Sequence, residues 1–92
     1  MKTVQIDFSE IGSEEDFYSA LKKEVSLPEY FGDNLDALWD VLTAHIELPM
    51  RMELIELSVD QLEIFEDLID TLEQADEETE GFEFRYYLEQ YE

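Results

Sequence analysis

Three short stretches of alternating apolar and polar residues, separated by segments of helical period, constrain this chain more than any other feature. In residues 3–8, TVQIDF, Val4, Ile6 and Phe8 fall on one side and Thr3, Gln5 and Asp7 on the other. Residues 50–57, MRMELIEL, alternate likewise, as do residues 82–89, FEFRYYLE, which set Phe82, Phe84, Tyr86 and Leu88 against Glu83, Arg85, Tyr87 and Glu89. A period of two marks a strand with one buried face.

The intervening segments read as helices. In residues 13–25, SEEDFYSALKKEV, Ser13 can cap the first turn, with Asp16 at the third position of a capping-box-like pattern. Phe17, Ala20, Leu21 and Val25 form its apolar stripe, and Lys22 and Lys23 fall in the last turn, where positive charge suits the helix dipole. A second helix follows the turn at Pro28 and Gly32 and stops before Pro49. In the third, Ser58 and Gln61 repeat the capping box, Leu62, Phe65, Ile69 and Leu72 recur at helical spacing, and Gly81 ends the pattern. The order β, α, α, β, α, β requires crossovers and so a parallel sheet. Strands buried on both faces would be continuously apolar, and these alternate. The expectation is an α/β fold of two layers, a three-stranded parallel sheet with helices packed on one face. Residues 1–92 read as a single domain, with no internal repeat or linker.

Charge decides which partners are possible. The chain carries 26 acidic and 5 basic residues in 92, a net charge of −21, which in a sequence poor in aromatics would suggest disorder. Here 45% of residues are hydrophobic, with six Phe, five Tyr and one Trp, so a core should form with the acid spread over its surface. Such a molecule is repelled by nucleic acid and by anionic membranes, which leaves a basic protein as the natural partner. Cysteine is absent, which fits a reducing compartment. The N-terminal MKTVQIDF has too short an apolar run for a signal peptide, and no stretch approaches the roughly 18 apolar residues of a membrane span. The expected setting is cytoplasmic and the expected state a monomer.

Residues 27–43, LPEYFGDNLDALWDVLT, hold the strongest candidate for a site. With Asp33 as N-cap, Asp36 falls in the first turn, where negative charge is favoured. At about 100° per residue, Leu35, Leu38, Leu42 and Ile46 cluster toward the core, while Asp36, Asp40 and Thr43 lie together on another side and Trp39 sits at the seam. Like charges four apart cost a few tenths of a kcal/mol in an isolated helix. The plain reading is a solvated acidic face, with Trp39 in the core and Tyr30 and Phe31 plugging the loop. The sharper reading is a binding hot spot, because Tyr and Trp are enriched at interface centres and here they frame an acidic patch.

The segment LKKEVSLPEYFGDNLDALWDVLT, residues 21–43, closely resembles the barstar family of intracellular ribonuclease inhibitors, whose corresponding stretch has the form LPEYYGENLDALWDCLTG. Elsewhere the similarity lies in element order, with LPMRMEL resembling the second strand and ETEG the end of the last helix. The resemblance implies a two-layer fold with a three-stranded parallel sheet and a surface that blocks a nuclease active site. It also implies roles for particular residues. Tyr30 would pack near the partner's catalytic histidine, Asn34 and Asp36 would face basic side chains, and Asp40 would enter the phosphate pocket. Trp39, Thr43 and Ala44 would complete the contact, with Phe31 beside Tyr30 and a further charge pair from Asp76 or Glu80. A carboxylate offers the acceptor oxygens that a phosphate offers, and Arg grips either in a fork. This chain departs from the family form with Phe31 in place of a tyrosine, and with Ala44 and His45 where the family continues Gly-Trp.

Other chemistries have little to build on. His45 is the one histidine and there is no cysteine, so His45 reads as a partly buried or rim residue rather than a catalyst. The run DNLD, residues 33–36, lacks the ligand alternation and terminal Glu of an EF-hand. Paired carboxylates can serve as acid and base, but a surface helix without a pocket does not suit them to it. No metal, cofactor or enzymatic activity is expected. Two function classes remain, an inhibitor of a basic, secreted-type ribonuclease and an acidic decoy that mimics nucleic acid toward some other basic protein; a carboxylate metal site is a distant third.

Overall fold

The computed structural model of the protein describes residues 2–28 and 31–89. Strand β1, Lys2–Asp7, leads through a 3-10 turn, Phe8–Glu10, into helix α1, Glu14–Glu24. Helix α2, Leu35–Asp40, runs directly into a π-helical turn, Val41–His45, and then to strand β2, Met50–Leu57. Helices α3, Val59–Ile64, and α4, Glu66–Glu78, precede strand β3, Phe82–Leu88. The sheet order is β1-β2-β3 and both pairings are parallel, with Val4 beside Met52 and Met52 beside Phe84.

This is the expected two-layer arrangement, and the alternation explains it. Val4, Ile6, Met50, Met52, Leu54, Phe82 and Phe84 are buried in the core. They meet Phe17, Leu21, Leu38, Leu42, Leu68 and Leu72 from the helices. Even the central strand keeps polar residues on its other face, where Glu53 accepts from the Gln5 amide at 2.9 Å and pairs with Arg51 at 3.0 Å. Tyr86 and Leu88, expected on the inner face, are 41% and 46% exposed. They lie where a register shift between Leu54 and Leu57 disturbs the β2–β3 pairing, with Glu56 in the left-handed region at φ 58°.

Two caps form as the sequence predicts. Ser13 Oγ accepts from the Asp16 N–H, although the Asp16 carboxylate reaches Gly12 N–H rather than that of Ser13. The box of Ser58 and Gln61 closes in both directions, and Gln61 Nε2 donates to the carbonyls of Phe8 and Ile11 at 2.7 and 3.0 Å. That amide ties α3 to the turn after β1.

Two expectations about helix ends are corrected. The third helix is interrupted at Phe65, whose backbone leaves the helical region at φ −105° and ψ 26° and whose buried ring meets Phe8 edge-on, 5.5 Å between centroids. The helix α4 ends at Glu78 with Thr79 as C-cap, and Gly81 instead supplies the φ of +94° that the turn into β3 needs. A Cβ on Gly81 would lie 3.3 Å from that of Leu48.

Candidate functional site

The loop and helix of residues 31–46 are fixed from beneath by the core. Leu38, Val41 and Leu42 are buried, while Leu35, Trp39 and Ile46 are partly covered and packed against the core. Helix α2 also packs on α4. The opposite stripe stays open: Asp36, Asp40 and Ala44 are exposed and Thr43 is half-buried. Trp39 lies at the seam, half-buried and packed against the core. Thr43 Oγ1 donates to the Trp39 carbonyl at 2.8 Å, so its hydroxyl is spent on the helix.

The N-terminal cap is Asn34, which corrects the assignment to Asp33. Asn34 has extended backbone angles, its Oδ1 accepts from the Ala37 N–H at 2.8 Å, and its Nδ2 donates to the Gly32 carbonyl at 3.2 Å. One amide therefore closes both the helix and the loop ahead of it. Asp33 instead takes a left-handed backbone, φ 51°, and its carboxylate pairs with Lys22 of α1 at 2.7 Å. Aspartate and asparagine tolerate that region better than most residues, and Lys22 gives the Asp33 carboxylate a partner away from the helix N-terminus.

Helix α1 also braces the aromatic part of the loop. Phe31 stacks edge-on against Tyr18, 5.7 Å between centroids, and the Lys22 ammonium lies 5.8 Å from the centre of its ring. The Phe31 N–H donates to the Pro28 carbonyl at 3.0 Å. Tyr18 is buried and donates to Glu14 at 3.0 Å. Burial, and next the Glu14 carboxylate, push its phenol well above the usual tyrosine range. Tyr30 lies outside the described residues.

The expected residues divide into three groups. Asp36, Trp39, Asp40, Thr43 and Ala44 share the helix and its continuation, with Phe31 and Asn34 on the loop that leads into it. Asp76 belongs to the α4–β3 junction, where its Oδ2 accepts from the Phe84 N–H at 2.9 Å and lies 3.4 Å from the Arg85 guanidinium. Glu80 is exposed in the turn that follows α4. Of the two acids considered there, Asp76 has a local structural task and Glu80 stands open to solvent.

Lys22 and Tyr18 were not singled out as site residues, since a lysine in a last turn and an aromatic on a helix face signal nothing about a loop ten residues on. The contact of His45 with Asp40, Nε2 to Oδ2 at 3.2 Å, was also missed. The π turn makes it, and no sequence feature marks that turn. Among the described residues no group of three or more His, Cys, Asp or Glu side chains could hold a metal ion, and no helix is long and apolar enough to cross a membrane.

Comparison with known proteins identifies the family. The family profile described as "Barstar (barnase inhibitor)" matches residues 1–89. A protein of Bacillus subtilis (strain 168) named "Putative ribonuclease inhibitor YrdF" is 34% identical over 92 residues, covering 97% of this chain and 100% of that protein. With the parallel three-stranded sheet, the capped loop and the open acidic stripe all in place, this chain belongs to the barstar family.

Proposed function

We propose that this protein is a cytoplasmic, monomeric inhibitor that blocks the active site of a basic ribonuclease with the acidic, aromatic-rimmed surface of residues 30–44. The observation that carries this reading is the pair Asp36 and Asp40, exposed on a helix whose other side is locked into the core beside half-buried Trp39. Family membership supports the class of partner.

The physical logic is substrate mimicry on a rigid support. Two carboxylates on one stripe repel each other in the free protein, and a cationic cleft relieves that repulsion on binding. The Asn34 cap, the buried leucines and the brace from α1 hold the stripe before the partner arrives, so little ordering entropy is lost in the complex. The overall charge of −21 draws a basic nuclease in from a distance.

The same charge favours one other reading, an acidic decoy that occupies a basic nucleic-acid-binding protein diffusely. The two differ in where the binding energy sits. The test is RNA cleavage by a set of basic secreted ribonucleases, barnase among them, titrated with the purified protein. The inhibitor reading expects at least one nuclease to lose its activity at an equimolar ratio, with association slowed by added salt. Full activity of every nuclease at excess protein would reject it.

A further inference from the structure

Residues five apart on a regular α-helix lie about 140° apart around the axis, so Asp40 and His45 would face different ways. The π turn Val41–His45, closed by the Ile46 N–H on the Val41 carbonyl at 3.1 Å, is wider and brings them together. His45 Nε2 then lies 3.2 Å from Asp40 Oδ2. Both side chains stay accessible, 40% for His45 and 62% for Asp40. A partner can reach either one.

The other charged groups around His45 come from separate elements. Lys2 of β1 and Glu47, in the loop before β2, line the same cleft. Lys2 donates to the Glu24 carbonyl at 2.8 Å, and Glu47 is exposed. Asp36 lies one helical turn back from Asp40 on the open stripe. Asp40 is the carboxylate that His45 contacts directly.

We propose that His45 is a specificity-determining residue that sets the charge presented by Asp40 to the partner. Neutral His45 leaves Asp40 as a net anion facing a cationic pocket. Protonated His45 takes Asp40 as its own ion-pair partner and places a positive charge where the site must meet positive charge. The nuclease that fits therefore has cations opposite Asp40 and an acceptor or open space opposite residue 45. The inference rests on the inhibitor reading and adds a direction: binding favours neutral His45, so affinity falls when the ring takes up a proton.

Two measurements test it, one without any partner. The side-chain carboxyl carbon resonance of Asp40, followed by NMR from pH 8 to 5.5, should move with protonation of the neighbouring ring in the wild type and lose that inflection in His45→Gln. Indistinguishable curves would overturn the contact. The dissociation constant for barnase, the nuclease named in the family's description, is then compared at pH 8 and 5.5 for both proteins. Titrating groups of the nuclease are common to the two, so they cancel in the ratio. The wild type should weaken about two- to fivefold more than His45→Gln over this interval, the scale of an exposed ion pair. Equal pH dependence would overturn the proposal. If neither protein bound barnase at any pH, the inhibitor reading would fall for that nuclease and the proposed effect on binding with it, while the Asp40 resonance would still report on the contact alone.

Discussion

Lys22 of helix α1 reaches Asp33 in the loop ahead of α2, Nζ to Oδ1 at 2.7 Å, and lies over the Phe31 ring on its way. The pair closes the back of the candidate site with a residue that need not touch a partner. Both side chains are about half exposed, 45% and 43%, so solvent screens the pair. Lys22→Gln should cost about 0.5–1 kcal/mol of stability, from the ion pair and the cation over the ring together. Its larger effect should be local. Hydrogen exchange at the Phe31 amide should quicken, while amides in β2 keep their protection; unchanged exchange at Phe31 would show that the brace is unimportant.

Asn34 holds two backbone groups with one amide, on Ala37 and on Gly32. Asn34→Ala should lower the unfolding free energy in urea by about 1 kcal/mol, the usual loss for an N-cap. Asn34→Asp keeps the acceptor and should recover most of it. Equal stability of the alanine and aspartate proteins would place the cap elsewhere.

Tyr18 ties stability to alkaline pH. Its folded-state pKa is raised by burial and by Glu14, so the native state keeps a proton that the unfolded chain gives up near pH 10. The sign follows from that difference: stability is unaffected by this group below about pH 10 and falls as pH rises above it. Urea midpoints measured from pH 9 to 11 should decline more steeply in the wild type than in Tyr18→Phe. Parallel curves would mean that the hydroxyl ionises as easily in the folded protein.

The sheet was legible because alternation depends on which face is wet, and that survives in three separate stretches. The caps at Ser13 and Ser58 were legible because each is local, decided within three or four residues. Asp33 and Asn34 were not separable, since both are good caps and the partner that Asp33 finds in Lys22 lies on another helix. The break at Phe65 was hidden because Phe65 keeps the phase of the apolar pattern although its own backbone leaves the helical region. Of the site, Asp36, Asp40 and their separation from Leu38 and Leu42 could be read from period alone. The contact between Asp40 and His45 could not, because it exists only through a turn that departs from that period.

The most direct test of the central claim is calorimetric titration of barnase at pH 8 and low salt with five proteins. These are the wild type, Asp36→Ala, Asp40→Ala, and two controls on the exposed side of α3, Asp60→Ala and Glu63→Ala. A localised site predicts that Asp40→Ala loses about 2 kcal/mol or more, the threshold for interface hot spots generally, of which the barnase–barstar complex is itself a known instance. The two controls should each lose no more than a few tenths of a kcal/mol, as rim or remote charges do. Equal small losses in all four variants would contradict the claim and identify a diffuse acidic decoy instead.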